Sequence, residues 1–229
     1  MRRSIAREMM DDDETIGTPA QWRQSLGDLA RINLWLGGWH ALRSELERLP
    51  EPPSAIVDVA TGGADLPERV LAYLARRGRH ANCVAVDRSA RILGLAQMMR
   101  AGNGQLTFVQ ADARALPFAD RSFDVAICNL ALHHFDPPDA TRVLRELARV
   151  GRSVIVNDLR RSWIAWAFAR VVFPFFTSNP FTRNDGPISV RRAYTPSELE
   201  LLARNAGWHR IDVRKQPGYR MTLAGGVLR

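Results

Sequence analysis

A chain of 229 residues, 46% apolar and 24% charged, is composed like a globular protein and has room for one α/β domain with a sizeable core. Its net charge of +8 comes almost wholly from arginine, with Lys215 the single lysine, and the arginines are scattered rather than gathered in one run, which argues against nucleic acid as the favoured partner. No apolar run approaches the roughly 20 residues of a membrane span, Cys83 and Cys128 make no disulfide framework, and the charged start MRRSIAREMMDDDET lacks the apolar middle of a secretory signal, so a cytoplasmic protein with two buried thiols is expected.

Residues 1–18 show no apolar periodicity and carry the charge run DDDE, the pattern of a mobile terminus. From Pro19 to Leu49, Trp22, Leu26, Leu29, Ile32, Leu36, Trp39, Leu42 and Leu46 recur at helical spacing. Gly37-Gly38 interrupts them and PEPP ends them, so residues 19–49 are expected to form a bent helical cap. From Ala55 to the end, strands alternate with helices. AIVDVA, NCVAVD, LTFVQAD, FDVAICNL and SVIVNDL read as strands, with helices over Pro67–Arg77, Ser89–Arg100 and Pro138–Val150 between them. That alternation implies right-handed crossovers and a mostly parallel sheet covered on both faces. YTPSELELLARNAGW carries a capping box and a glycine stop, and HRIDVRK and YRMTLAGGV, split by Pro217-Gly218, read as an antiparallel edge hairpin. The expected fold is α/β, Rossmann-like and doubly wound, with a seven-stranded sheet.

DVATGGAD follows the first strand, where open α/β sheets bind ligands. Its small residues let a ligand approach the backbone. The loop lacks the G-x-G-x-x-G spacing of a pyrophosphate site, and it carries Asp58 before the turn and Asp65 within it. Those carboxylates repel phosphate and suit a cationic, amino-acid-bearing nucleoside. Asp87 ends the second strand, where it can accept ribose hydroxyls. Asp112 follows the third, where it can accept an adenine amine beside the Ala113 backbone. A nicotinamide-dependent oxidoreductase shares this architecture but not the loop spacing. The flat aromatic with which a nucleic-acid methyltransferase stacks a flipped base is missing after NLAL.

IVDVATGGAD, VAVDRS, ADARALPFADRSFDVAICNLALHHF and VNDL together resemble the class I S-adenosylmethionine-dependent methyltransferases, and LPFADRSFDVAICNLALHHF is similar to their quinone-biosynthesis and natural-product branch. The resemblance implies S-adenosyl-L-methionine as cofactor, held by Asp58, Ala60, Thr61, Gly62, Asp65, Asp87, Arg88, Asp112, Ala113 and Asn129. A small acceptor follows from that branch; the apolar stretch at 162–181 makes a hydrophobic or aromatic one expected, and oxygen, which suits a histidine base, is favoured over carbon as the methylated atom. The family's first and third loop glycines stand here as Ala60 and Ala64, which a methyl group permits at negative φ.

NLALHHF follows the fourth strand. His133 is the candidate general base, with Asp158 at the end of the next strand to orient it. His133 and His134 cannot point the same way in an extended segment, and no third ligand is spaced for a metal. The apolar SWIAWAFARVVFPFFTSNPF opens a substrate lid at 162–193, with a membrane-surface contact through 162–181 as a variant. The polar stretch after it is expected to return to the surface, with Arg183, Asn184 or Arg191 on the acceptor. Trp22, Arg31, Asn33 and Trp39 of the helical cap are candidates to close the cofactor.

Overall fold

The structure is a computed structural model that describes residues 1–11 and 17–226. Five parallel strands, β1 (Ala55–Val59), β2 (Asn82–Asp87), β3 (Leu106–Gln110), β4 (Phe123–Asn129) and β5 (Gly151–Leu159), are joined by β7 (Arg220–Gly226) and β6 (Arg210–Gln216) in the order β3-β2-β1-β4-β5-β7-β6. β7 runs antiparallel to both neighbours. The strand order reverses on either side of β1, which opens a crevice at the carboxyl ends of β1 and β4.

The central strands divide their side chains between two layers. Ile56, Val125, Ile127 and Ile155 face α2 (Gly38–Leu46) and α3 (Asp65–Ala75) through Leu42, Leu46, Leu66, Val70, Leu71 and Leu74. Val57, Val59, Ala126, Val154 and Val156 face α5 (Pro137–Val150) and α8 (Pro196–Asn205) through Val143, Leu144, Leu147, Leu199 and Leu202. Neighbouring residues bury into opposite cores, so these strands read as continuous apolar runs rather than alternating ones. Cys83 and Cys128 are free and buried, one in each layer. α4 (Ala90–Met99) lies beside β2 and β3.

α1 (Pro19–Trp35) begins at a capping box on Thr18 and Gln21. The apolar segment is α6 (Trp163–Phe176), and the polar stretch after it is α7 (Pro180–Arg192). This corrects the expected return to the surface: α7 starts on an Asn179 cap with Pro180 in its first turn, and it buries Phe181, Thr182, Pro187 and Val190. Gly186 lets α6 approach, because a Cβ there would lie 1.9 Å from the Phe173 ring. Of the segment expected to be mobile, Met1–Asp11 lies along the crevice, and residues 12–16 lie outside the described residues.

The loop between β1 and α3 corrects a second expectation. Ala60, Gly62 and Ala64 have φ of 58°, 55° and 53°. All three glycine positions of the motif are therefore left-handed, and the two alanines adopt that form despite their methyl groups, at about 1–2 kcal/mol each. The Ala64 methyl recovers part of its cost by packing on Ala85 and Ala96, fully buried. Ala60→Gly is accordingly expected to stabilise the fold by about 1 kcal/mol. Ala64→Gly also gives up about 0.8 kcal/mol of methyl burial and should stay close to the parent. Urea denaturation measures both, and a loss of stability in Ala60→Gly would rule out the left-handed turn.

Candidate functional site

A cavity of about 790 Å³ lies over the carboxyl ends of β1, β2 and β4, a volume in the usual range for small-molecule sites. α1, α6, α7 and the N-terminal segment wall it on the other side. Asp58 is buried near the end of β1, where it accepts a hydrogen bond from Asn129 Nδ2 at 3.3 Å. Asn129 in turn accepts from Asn157 Nδ2 at 3.1 Å, so three strand ends are tied in a row. Asp87, at the end of β2, accepts from the backbone N–H groups of Gly62 (3.0 Å) and Ser89 (3.1 Å), one on each oxygen. The Thr61 N–H donates to Val86 O at 2.9 Å, and its hydroxyl lines the cavity next to Asp58.

Asp65 occupies the first turn of α3, at the positive end of the helix dipole where a phosphate would otherwise sit. Its carboxylate accepts from Asn33 Nδ2 at 3.2 Å. Asp112 is half-exposed, and Arg114 binds it through Nε and Nη2 at 3.0 and 2.6 Å; Ala113 beside it is buried in the cavity wall. Arg88 is exposed and donates to the Asp11 carbonyl.

Of the four residues proposed to close the cofactor, Asn33 alone lines the cavity. Trp22 packs on Phe181, Trp39 on Tyr73, and Arg31 pairs with Asp28. Two buried arginines line the cavity, Arg192 and, on β7, Arg220. Arg220 donates to Asn33 Oδ1 (3.2 Å) and Leu36 O (2.9 Å), and its Nη1 has no hydrogen-bond partner among the described residues. Burial lowers its pKa to about 10. One arginine among many carries no sequence signal of this kind. Arg183, Asn184 and Arg191 do not line the cavity; Thr182, Asp185, Ser189 and Arg192 do.

His133 and Asp158 are both buried. His133 Nδ1 lies 2.6 Å from Asp158 Oδ1, and the His133 N–H donates to Oδ2 at 3.0 Å. Burial pushes the Asp158 carboxyl up, but the imidazole and the backbone N–H groups of His133 and Leu159 outweigh it, and the net shift is downward. The two histidines correct the extended-segment expectation. Leu130 turns the chain at φ 48° and Leu132–His134 forms a 3₁₀ turn, so the rings stack at 4.3 Å. Both Nε2 atoms face Glu8, at 3.6 and 3.8 Å.

Glu8 was invisible to sequence reading because it lies in a segment without periodicity. It is buried, Oε1 has no hydrogen-bond partner among the described residues, and burial raises its pKa to about 7. The donor atoms of Glu8, His133 and His134 lie within 4.8 Å of one another, a grouping that the spacing of the histidines alone did not suggest. Arg3 and Arg192 clamp the turn by donating to the His133 carbonyl at 2.9 and 3.2 Å.

A doubly wound sheet with an antiparallel edge hairpin and acidic residues at successive strand ends defines a nucleoside-binding enzyme of the Rossmann-like class. The family described as "Methyltransferase domain" matches residues 57–154. The chain is 37% identical over 179 residues to a demethylmenaquinone methyltransferase of Thermotoga maritima, covering 75% of this chain and 72% of that one. It is 27% identical over 218 residues to a ubiquinone/menaquinone biosynthesis C-methyltransferase, UbiE, of Rhizobium leguminosarum bv. trifolii, covering 88% and 82%. Human N-acetylserotonin methyltransferase, solved in complex with SAM, superposes with a TM-score of 0.67 at 12% identity over 93% of this chain and 57% of that one, a likeness of fold. The chain belongs to the class I S-adenosylmethionine-dependent methyltransferases of the small-molecule type. It is a methyltransferase enzyme and S-adenosyl-L-methionine is its cofactor.

The electrostatics predict a pH dependence. Burial, with added repulsion from Asp65 and Asp87, raises the Asp58 carboxyl to about 7. Below that pH Asp58 is neutral; above it, the carboxylate attracts a cationic ligand group. S-adenosylhomocysteine, which carries an ammonium, is expected to bind more tightly as pH rises from about 6 to about 8, with proton release near neutrality. Calorimetry in buffers of different ionisation heat reads the released proton. Asp58→Asn should flatten the profile, and an unchanged slope in that variant would remove Asp58 as its source.

Proposed function

We propose that the chain methylates a small hydroxylated aromatic acceptor, quinol-like and lipophilic, with His133 as general base and Asp158 as its positioning partner. The observation that carries this reading is the buried Asp158–His133 pair beside a cavity walled by Ala165, Phe168, Ala169 and Phe173. The cofactor, when bound, supplies an electrophilic methyl carbon on a sulfonium. The residues present suit it. Asp58 attracts its ammonium, Arg220 Nη1 is a buried cation for its carboxylate, and the left-handed loop at Ala60–Ala64 leaves backbone open to it. Asp87 retains lone pairs for ribose hydroxyls after accepting two N–H groups. Ala113 would carry the adenine end, with Asp112 held beside it by Arg114.

With the Nδ1 proton directed at Asp158, His133 Nε2, which stands 3.6 Å from Glu8 in the cavity wall, is the nitrogen left to take the proton of an acceptor hydroxyl. Asp158 stabilises the resulting imidazolium, and Glu8 stands next to Nε2 as the next station for the proton. The cap at 19–49 and the lid at 162–193 keep water from this exchange, which raises the value of both charges.

Oxygen is the favoured nucleophile, because a base acting directly on a hydroxyl produces a phenolate. Carbon is the second reading, favoured by the C-methyltransferase activity in one relative's name, and deprotonation of the same hydroxyl would activate the ring carbon beside it. NMR of the product formed with a deuterated methyl donor separates a methoxy group from a ring methyl.

His133→Ala is expected to lower kcat by roughly 10²–10⁴-fold on a quinol acceptor while leaving S-adenosylhomocysteine affinity in place. Asp158→Asn should also lower kcat, since it no longer holds the productive tautomer. Single-turnover production of S-adenosylhomocysteine measures both. A His133→Ala enzyme within a few-fold of the parent would eliminate the base.

A further inference from the structure

α6 presents two apolar faces. Ala165, Ala169 and Phe173 are buried toward the cavity. Ile164, Phe168, Val171 and Phe175 fall at i, i+4, i+7 and i+11, one stripe down the helix, and are 46%, 45%, 62% and 87% exposed. Trp163 (69%) lies at the head of this stripe. Exposed Trp35 of α1, edge-on to Phe176 at 6.1 Å, widens it at the foot. A contiguous apolar face of this kind marks a binding surface.

Along the segment that carries it the charges are of one sign, although Arg161 pairs with Glu198 from outside the segment. From Leu159 to Asn184 there is no Asp or Glu, and Arg160, Arg161, Arg170 and Arg183 are the charged residues. Arg170 is exposed on α6 itself and has no ion-pair partner among the described residues. Phe168 belongs both to the exposed stripe and to the cavity wall, so the face borders the place where an acceptor is held. No described helix is long and apolar enough to cross a membrane, which makes any contact on this face peripheral.

We propose that the α6 face docks the enzyme on an anionic lipid bilayer. Trp163, Val171 and Phe175 enter the headgroup–acyl boundary and Arg170 meets the lipid phosphates. The cavity then opens at the lipid side, and a lipophilic acceptor reaches it without crossing water. Docking is a property of the protein without acceptor or cofactor, so it stands or falls separately from the methyl-transfer reading.

Co-sedimentation of the full chain with phosphatidylglycerol-containing vesicles, against phosphatidylcholine alone, tests it. The anionic vesicles are expected to retain more protein, and the preference should weaken at high salt. Trp163→Ser/Val171→Ser/Phe175→Ser should lower partitioning by more than roughly tenfold while keeping its melting temperature and S-adenosylhomocysteine affinity. Arg170→Glu should reduce the anionic preference. Should the triple variant fail to fold, quenching of wild-type tryptophan emission by brominated lipid is the deciding measurement, because Trp163 and Trp35 lie on the docked face. Absence of quenching, or vesicle binding unchanged in a folded triple variant, overturns the proposal. So does a dimer in light scattering that the triple variant dissociates, since a second copy would then cover the face.

Discussion

Asp58, Asp65, Asp87 and Glu8 are all buried around one cavity, which they share with two buried cations, Arg192 and Arg220. Carboxylates removed from water are costly unless they are paired or neutralised. The surrounding structure is arranged to tolerate them. Backbone N–H groups from the loop and from the start of α4 hold Asp87, amide side chains hold Asp58 and Asp65, and α3 turns its positive end toward Asp65. What remains uncompensated shows as raised carboxyl pKa values at Asp58, Asp65, Asp87 and Glu8, with burial as the leading cause at each. A site in this condition favours ligands that bring positive charge, as a sulfonium nucleoside with an ammonium group does.

The left-handed loop follows from the same constraint. To offer its N–H to Asp87, Gly62 sits in a run where Ala60 and Ala64 must also take positive φ. The Ala64 methyl fits into a pocket formed by Ala85 and Ala96. Small side chains on the second strand and on α4 thus make room for a residue that the motif ordinarily leaves bare. The strain of the loop and the packing behind it belong to one arrangement.

The sheet was legible in the sequence because its central strands bury both faces and therefore read as unbroken apolar runs. The antiparallel hairpin was legible through Pro217-Gly218. The strand-end carboxylates were found by position, since an acidic residue at the end of an apolar run is conspicuous. α7 was not legible: TRNDGPISVRRAYT is polar and contains Gly186 and Pro187, and its helical form comes from the Asn179 cap and from packing against α6. Glu8 and Arg220 escaped for a different reason. Each is an ordinary charged residue in its own neighbourhood, and it meets the cavity only through contacts across the chain. The histidine pair was misjudged because the turn at Leu130 cannot be read from residue type.

Asp28 of α1 is fully buried and accepts hydrogen bonds from the hydroxyls of Thr177 and Thr182, on either side of the α6–α7 junction. That knot joins the helical cap to the wall that carries the exposed stripe. A displacement of either piece therefore breaks these two hydrogen bonds or carries the other piece with it.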